Sequence, residues 1–137
     1  MDISLKAKVA HFALRAGAAF AFIYPAVNAW GDPNSWIGYF PPFVLAMGAS
    51  AGLGNLALLH AFGAAGILIG LWLLSGWRIF WPSAVATLML VAIVSFNVPQ
   101  MQVVFRDLSI AALTFALALT HVPQKWRGLP RRAEALQ

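Results

Sequence analysis

Four apolar stretches, each close to the length of one membrane crossing, divide this chain at near-even intervals. They run from Val9 to Trp30, Leu53 to Ser75, Ile79 to Asn97 and about Phe105 to Val122. A helix needs ~20 apolar residues to cross ~30 Å of hydrocarbon at ~1.5 Å per residue, so each stretch reads as a transmembrane helix. Lipid offers backbone N–H and C=O groups no partners, which restricts spanning segments to helices and closed barrels. The expected fold is therefore all-α, a transmembrane antiparallel four-helix bundle. It forms a single membrane domain over residues 1–137, with spans at about 9–30, 53–75, 79–97 and 105–122. An outer connection occupies 31–52, and a basic cytoplasmic tail follows at 123–137.

Composition sharpens this by exclusion. Only 9% of the residues are charged and 61% are hydrophobic, against about 25% charged in water-soluble domains. With a mean hydropathy of +0.79 and short links, no room is expected for a separate soluble domain. A net charge of +5 raises the question of nucleic acid, but most of the basic residues flank spans, where they serve orientation and anionic headgroups. Nucleic acid is accordingly excluded as a partner, and the lipid bilayer is the first partner implied. The chain contains no cysteine, which rules out disulfides, thiolate metal sites and a thiol redox couple of its own. No metal site is expected, and redox chemistry would need a borrowed cofactor. The first apolar run is too long for a signal-peptide core and carries Arg15 inside it, so it reads as a retained helix.

Charge placement sets an orientation. Lys6 and Lys8 precede span one, Arg78 lies between spans two and three, and Lys125, Arg127, Arg131 and Arg132 follow span four, all on one side. The opposite links hold no basic residue except Arg106, which adjoins Asp107. The positive-inside rule then places both termini in the cytoplasm and the long first connection outside, in the inner (cytoplasmic) membrane of a cell. Trp30, Trp36 and Tyr39 fall near the outer boundary, and Trp77, Trp81 and Trp126 near the inner one, as interfacial aromatics do.

The links are informative too. Asp32-Pro33-Asn34-Ser35 reads as a turn that caps a short helix at Trp36. Pro41-Pro42 with Gly48, Gly52 and Gly54 argues against one continuous helix through 31–52, and its apolar content suggests that it lies on the bundle or in the interface. "SGWR" at Ser75 to Arg78 predicts a tight inner hairpin, and "NVPQMQ" at Asn97 to Gln102 a short outer one. Pro25 predicts a kink in span one, and Pro99 an end to span three. Gly66 and Gly70, with Gly63 one turn earlier, make a small-residue stripe that suits close helix packing within the chain or, alternatively, a homo-oligomer seam.

Ionisable groups inside spans are the ones with functional content, because each is costly in hydrocarbon unless paired or hydrated. Arg15 lies ~9 Å along the helix from Val9, with His11 one turn away on the same face. His121 ends span four at a similar depth. These three suggest a polar cluster at the inner face, open to three readings: a bis-imidazole haem site, a quinone or anion site centred on Arg15, or an orienting arginine with two interfacial histidines. His60 lies ~10 Å into span two and needs an internal partner, for which Asn28, Tyr24, Ser95 and Asn97 are available. It reads either as a hydrogen-bonded packing residue or as a group lining an outward-facing pocket. Arg106 and Asp107 are expected to open span four, the aspartate in its first turn, as an anchor or as part of an outer anion site. No zinc spacing, phosphate-binding glycine loop, nucleophile elbow or catalytic carboxylate pair occurs.

The segments "LRAGAAFAFIYPAVNAW", "DPNSWIGYFPPF", "GILIGLWLLSG" and "VVFRDLSIAALTFALAL" together resemble the DoxX-like family of small four-helix bacterial and archaeal membrane proteins. The resemblance covers about Leu14 to Leu119 and rests most on the arginine in span one, the "GLWLLSG" close of span two and the "FRD" before span four. It marks Arg15, Trp36, Gly70, Ser75, Gly76, Arg106 and Asp107 as matching positions. One departure stands out: relatives often carry a glutamate in span two where this chain has Gly66. The resemblance implies a small membrane subunit or scaffold in redox or stress physiology, with no catalytic site of its own and a membrane or periplasmic protein partner. It also implies an alternative, a quinone-linked subunit of the thiosulfate:quinone oxidoreductase type with quinone as the cofactor; a second alternative, a small-molecule or lipid carrier, rests instead on a pocket around His60. The candidate ligand-contacting residues are Arg15, Arg106 and Asp107, which the resemblance shares, and His60, which its depth in span two singles out.

Overall fold

The computed structural model describes residues 3–126. Arg127, Arg131 and Arg132, counted above for orientation, lie outside the described residues, as does most of the expected tail. Helix dominates, and no strand occurs among the described residues. α1 runs Ile3–Gly31, α2 Asn34–Ile37, α3 Pro42–Ser50, α4 Asn55–Ser75, α5 Phe80–Phe96 and α6 Met101–Thr120, with single 3-10 turns at Val98–Gln100 and Gln124–Trp126. α1, α4 and the segment formed by the first 3-10 turn with α6 are long and apolar enough to cross a membrane; α5 is an apolar helix of 17 residues.

Two boundaries differ from the apolar pattern. α1 begins near Ile3 rather than Val9, because Lys6 and Lys8 are good helix formers that extend the helix beyond its apolar part. It also continues through Pro25 without interruption. α6 begins at Met101, so Gln102, Arg106 and Asp107 are helical and the outer link shortens to Asn97 and one 3-10 turn. Pro99 lacks an N–H and sits where a helix start leaves that donor without a partner anyway.

α1 packs along α4, and α5 along α6; contacts between the two pairs are sparser. The α1–α4 register is antiparallel and carried by glycine. A Cβ on Gly63 would meet the Ala26 Cβ at 3.4 Å, one on Gly66 the Phe22 carbonyl at 3.3 Å, and one on Gly70 the Ile23 Cγ1 at 2.6 Å and the Ala19 carbonyl at 3.1 Å. The stripe is thus occupied inside the chain, where close backbone approach maximises packing. Between α5 and α6 the hydroxyls of Thr87 and Thr114 meet at 2.8 Å. A core of Ala18, Ala19, Phe22, Ile69, Leu73, Ala86, Leu90 and Ala111 draws on all four long helices.

The connection from Asp32 to Gly54 folds back over one end. Pro41 is extended and Pro42 opens α3, so the proline pair separates α2 from α3. The Trp36 indole donates to Asn28 Oδ1 at 2.9 Å, and the Asn97 amide donates to the Tyr39 carbonyl at 3.0 Å. Phe40 meets Phe62 edge-on, and Phe43 meets Phe96. At the other end, Phe80, Trp81 and Trp126 form a mutual edge-to-face cluster, with Trp72 stacked near Trp77.

Candidate functional site

The end of the molecule where α1 begins and α6 finishes gathers most of the polar chemistry. α4 stops at Gly76, whose φ of 74° is left-handed and whose N–H returns to the Leu73 carbonyl at 3.3 Å. That termination leaves the last carbonyls of α4 without helical partners. Arg15 crosses from α1 to meet them: its Nη1 donates to Leu73 O and Leu74 O, both at 3.4 Å. A cation at a helix C-terminus also suits the helix dipole. Gly76 serves this contact twice, since a Cβ there would collide with Arg15 Nη1. Two of the positions marked by the resemblance, Arg15 and Gly76, are therefore one structural unit.

His11 and His121 close the seam between α1 and α6, with their Nε2 atoms 3.0 Å apart. His121 Nδ1 lies 2.9 Å from the Leu117 carbonyl, which only accepts. The tautomer with its proton on His121 Nδ1 satisfies that carbonyl and leaves His121 Nε2 to accept from His11 Nε2–H; the Thr120 hydroxyl also lies 2.9 Å from His121 Nδ1. This contact does not fit a haem. Two opposed metal–imidazole bonds of ~2 Å need nitrogens about 4 Å apart, and the direct hydrogen bond leaves no room for iron between them.

Two shallow depressions flank the pair. One, of about 470 Å³, is lined by Ala7, Lys8, His11, Arg15 and His121. The other, of about 500 Å³, shares His121 and adds Gly76, Arg78, Phe80, Trp81 and Lys125 among its walls. Arg78 holds a left-handed φ of 47° in the α4–α5 turn, and its guanidinium lies 5.0 Å from the centre of the Trp77 ring. Sequence reasoning placed Arg15, His11 and His121 together. It missed Lys8 as a wall of the same depression and Gly76 as the space that admits Arg15; a glycine at the close of an apolar run, facing an intramembrane arginine on the preceding span, was the available signal.

The other expected site residues stand apart. His60 finds none of its expected partners. Asn28 is taken by Trp36, Asn97 by the Ile93 and Tyr39 carbonyls, and Ser95 by Val91. His60 instead stacks on Trp30, centroid to centroid at 4.0 Å and 19° between planes. The reason is register: His60 continues the Gly63–Gly66–Gly70 stripe, so it meets α1 one turn beyond Ala26. Trp30 itself is 71% exposed, so the pair forms part of the molecule's side rather than the lining of an outward pocket.

Arg106 and Asp107 occupy the second turn of α6 rather than its opening, and no acidic residue lies in the first turn. Arg106 is exposed and Asp107 half-buried; as sequence neighbours they diverge by ~100° around the helix. Asp32 accepts from the Ser35 hydroxyl. Ser75 accepts from the Trp77 N–H and donates to the Trp72 carbonyl, fixing the α4–α5 turn.

Comparison with family models, with curated proteins and with solved structures finds no match to this chain.

Proposed function

We propose that the chain is a DoxX-like multi-pass protein of the inner membrane: an antiparallel four-helix bundle with both termini cytoplasmic, acting as a non-catalytic membrane subunit or scaffold in redox or stress physiology. The membrane part draws on the three long apolar helices and on large side chains exposed around every long helix, such as Phe20, Leu68, Leu88 and Phe115. The orientation draws on the one-sided basic residues. The family draws on the quoted motifs, and the partner expected is a membrane or periplasmic protein.

One observation supports the choice of a subunit over an enzyme: four polar groups at the helix seams make contacts that hold helices and the outer connection together. Arg15 ends α4, His11 binds His121, Thr87 meets Thr114, and Asn97 ties the outer connection down. A site for chemistry leaves reactive groups convergent on a substrate-sized cleft, whereas these face one another. The test is gentle detergent purification after in-cell cross-linking. A fixed protein partner should co-purify, and reporter fusions should place Gln137 inside and Gly31 to Ser35 outside. Quinone reduction by the purified chain supplied with thiosulfate would overturn this reading.

A further inference from the structure

The corner formed by Arg15, Lys8 and the histidine pair carries more N–H donors than the described residues supply acceptors. A guanidinium has five N–H groups. Both hydrogen bonds of Arg15 to described residues leave from Nη1 and are long, at 3.4 Å, while its Nε is buried without a partner. Lys8, His11 and His121 share the depression beside it, and Arg78 and Lys125 line the adjoining one. Among the described residues no carboxylate lies at this end: Asp32 follows α1 at the opposite end and Asp107 lies in the second turn of α6. A partly desolvated cation among other cations is costly until an anion joins it.

We propose that Arg15 and Lys8, walled by the His11–His121 pair, bind the headgroup phosphate of an anionic phospholipid. A guanidinium edge with free N–H groups matches the paired oxygens of a phosphate, and a lysine adds a mobile point charge. The surroundings select a lipid over a free anion. Exposed Phe12 and Leu14 on α1 lie within one turn of His11, and exposed Leu119 on α6 within one turn of His121. Acyl chains cover such a surface, and a soluble phosphate does not. The inference rests on the membrane-spanning reading, which resistance of the chain to alkaline carbonate extraction checks separately.

The experiment is native mass spectrometry of the full chain in detergent, titrated with phosphatidylglycerol, phosphatidylcholine and inorganic phosphate. One phosphatidylglycerol should be retained in preference to phosphatidylcholine. Lys8→Gln should weaken it about fivefold, the equivalent of ~1 kcal/mol per basic residue near an anionic surface. Arg15→Gln should abolish the preference, and Lys6→Gln, outside the depression, should leave it unchanged. Asp2 and Glu134 lie outside the described residues, and the double variant Asp2→Asn/Glu134→Gln should also leave it unchanged. If Arg15→Gln does not yield monodisperse protein, the contrast between Lys8→Gln and Lys6→Gln decides. Equal weakening by those two, or equal retention of both lipids, would overturn the proposal in favour of diffuse attraction. A rise in retention on removing the two carboxylates would make one of them the native counterion. Arg15-dependent binding of inorganic phosphate without phosphatidylglycerol would make the ligand a soluble anion.

Discussion

The two helix pairs solve the same problem differently. α1 and α4 come together by removing side chains: Gly63, Gly66 and Gly70 present bare backbone to Ala19, Phe22, Ile23 and Ala26. α5 and α6 keep their side chains and add a polar link, Thr87 to Thr114, with Thr114 fully buried. In lipid neither pair gains from hydrophobic burial in the usual sense, because hydrocarbon surrounds the separated helices as well. Close approach gives the first pair many weak dispersion contacts that depend on distance. The second pair depends on a hydrogen bond, worth ~0.6 kcal/mol on average between membrane helices. The glycine seam should therefore be brittle and the threonine seam tolerant.

The sharpest way to break that contrast is Gly70→Val. A single Cβ there already falls 2.6 Å from Ile23 Cγ1 and 3.1 Å from the Ala19 carbonyl, and the second of these is backbone that cannot rotate away. Forcing α1 off α4 should cost about 3 kcal/mol. Unfolding followed by helicity in a dodecyl sulfate titration from mixed micelles should show the midpoint falling accordingly. A variant as stable as the parent would show that the seam is looser than its geometry. Next comes Gly76→Ala, with an expected loss of ~1–2 kcal/mol from the left-handed backbone alone. Its second effect is local: Arg15 must leave the α4 carbonyls, so hydrogen exchange at the close of α4 should accelerate while the middle of α4 stays protected.

Much of this architecture was legible from residue spacing. The apolar runs located the four long helices, the glycine spacing marked a close seam, and Pro41-Pro42 separated α2 from α3. Helix ends were less legible, since Lys6, Lys8, Gln102 and Arg106 interrupt the apolar pattern while remaining good helix formers. The polar cluster was half legible: a common depth placed Arg15, His11 and His121 together, but the capping of α4 by Arg15 depends on a three-dimensional termination at Gly76. His60 was partly legible: α1 was among its expected neighbours through Asn28 and Tyr24, but the partner it meets there is the Trp30 ring. Its phase on α4, continuous with Gly63, selects α1 over α5 and sets it one turn beyond Ala26, against an aromatic ring.

On the tolerant seam, Thr114→Val removes the interhelical bond to Thr87 and keeps the side-chain shape. Thr87 retains an acceptor in the Ser83 carbonyl of its own helix at 2.8 Å, so no donor is left stranded. The loss should be about 0.6 kcal/mol by the same titration, several-fold smaller than at Gly70. A loss as large as that of Gly70→Val would erase the distinction between the pairs.

The smallest effect should reverse sign. Ser83 is fully buried on α5, and its hydroxyl has no hydrogen-bond partner among the described residues. A buried hydroxyl without a partner keeps its desolvation cost and gains nothing in return. Ser83→Ala removes the oxygen, keeps the Cβ and raises helix propensity, so stability should increase by up to about 1 kcal/mol. The Ser83 carbonyl still accepts from Thr87, so the threonine link survives the change. If Ser83→Ala instead destabilises the chain, the hydroxyl has an acceptor in the membrane-embedded protein, and α5–α6 would then hold two polar links rather than one.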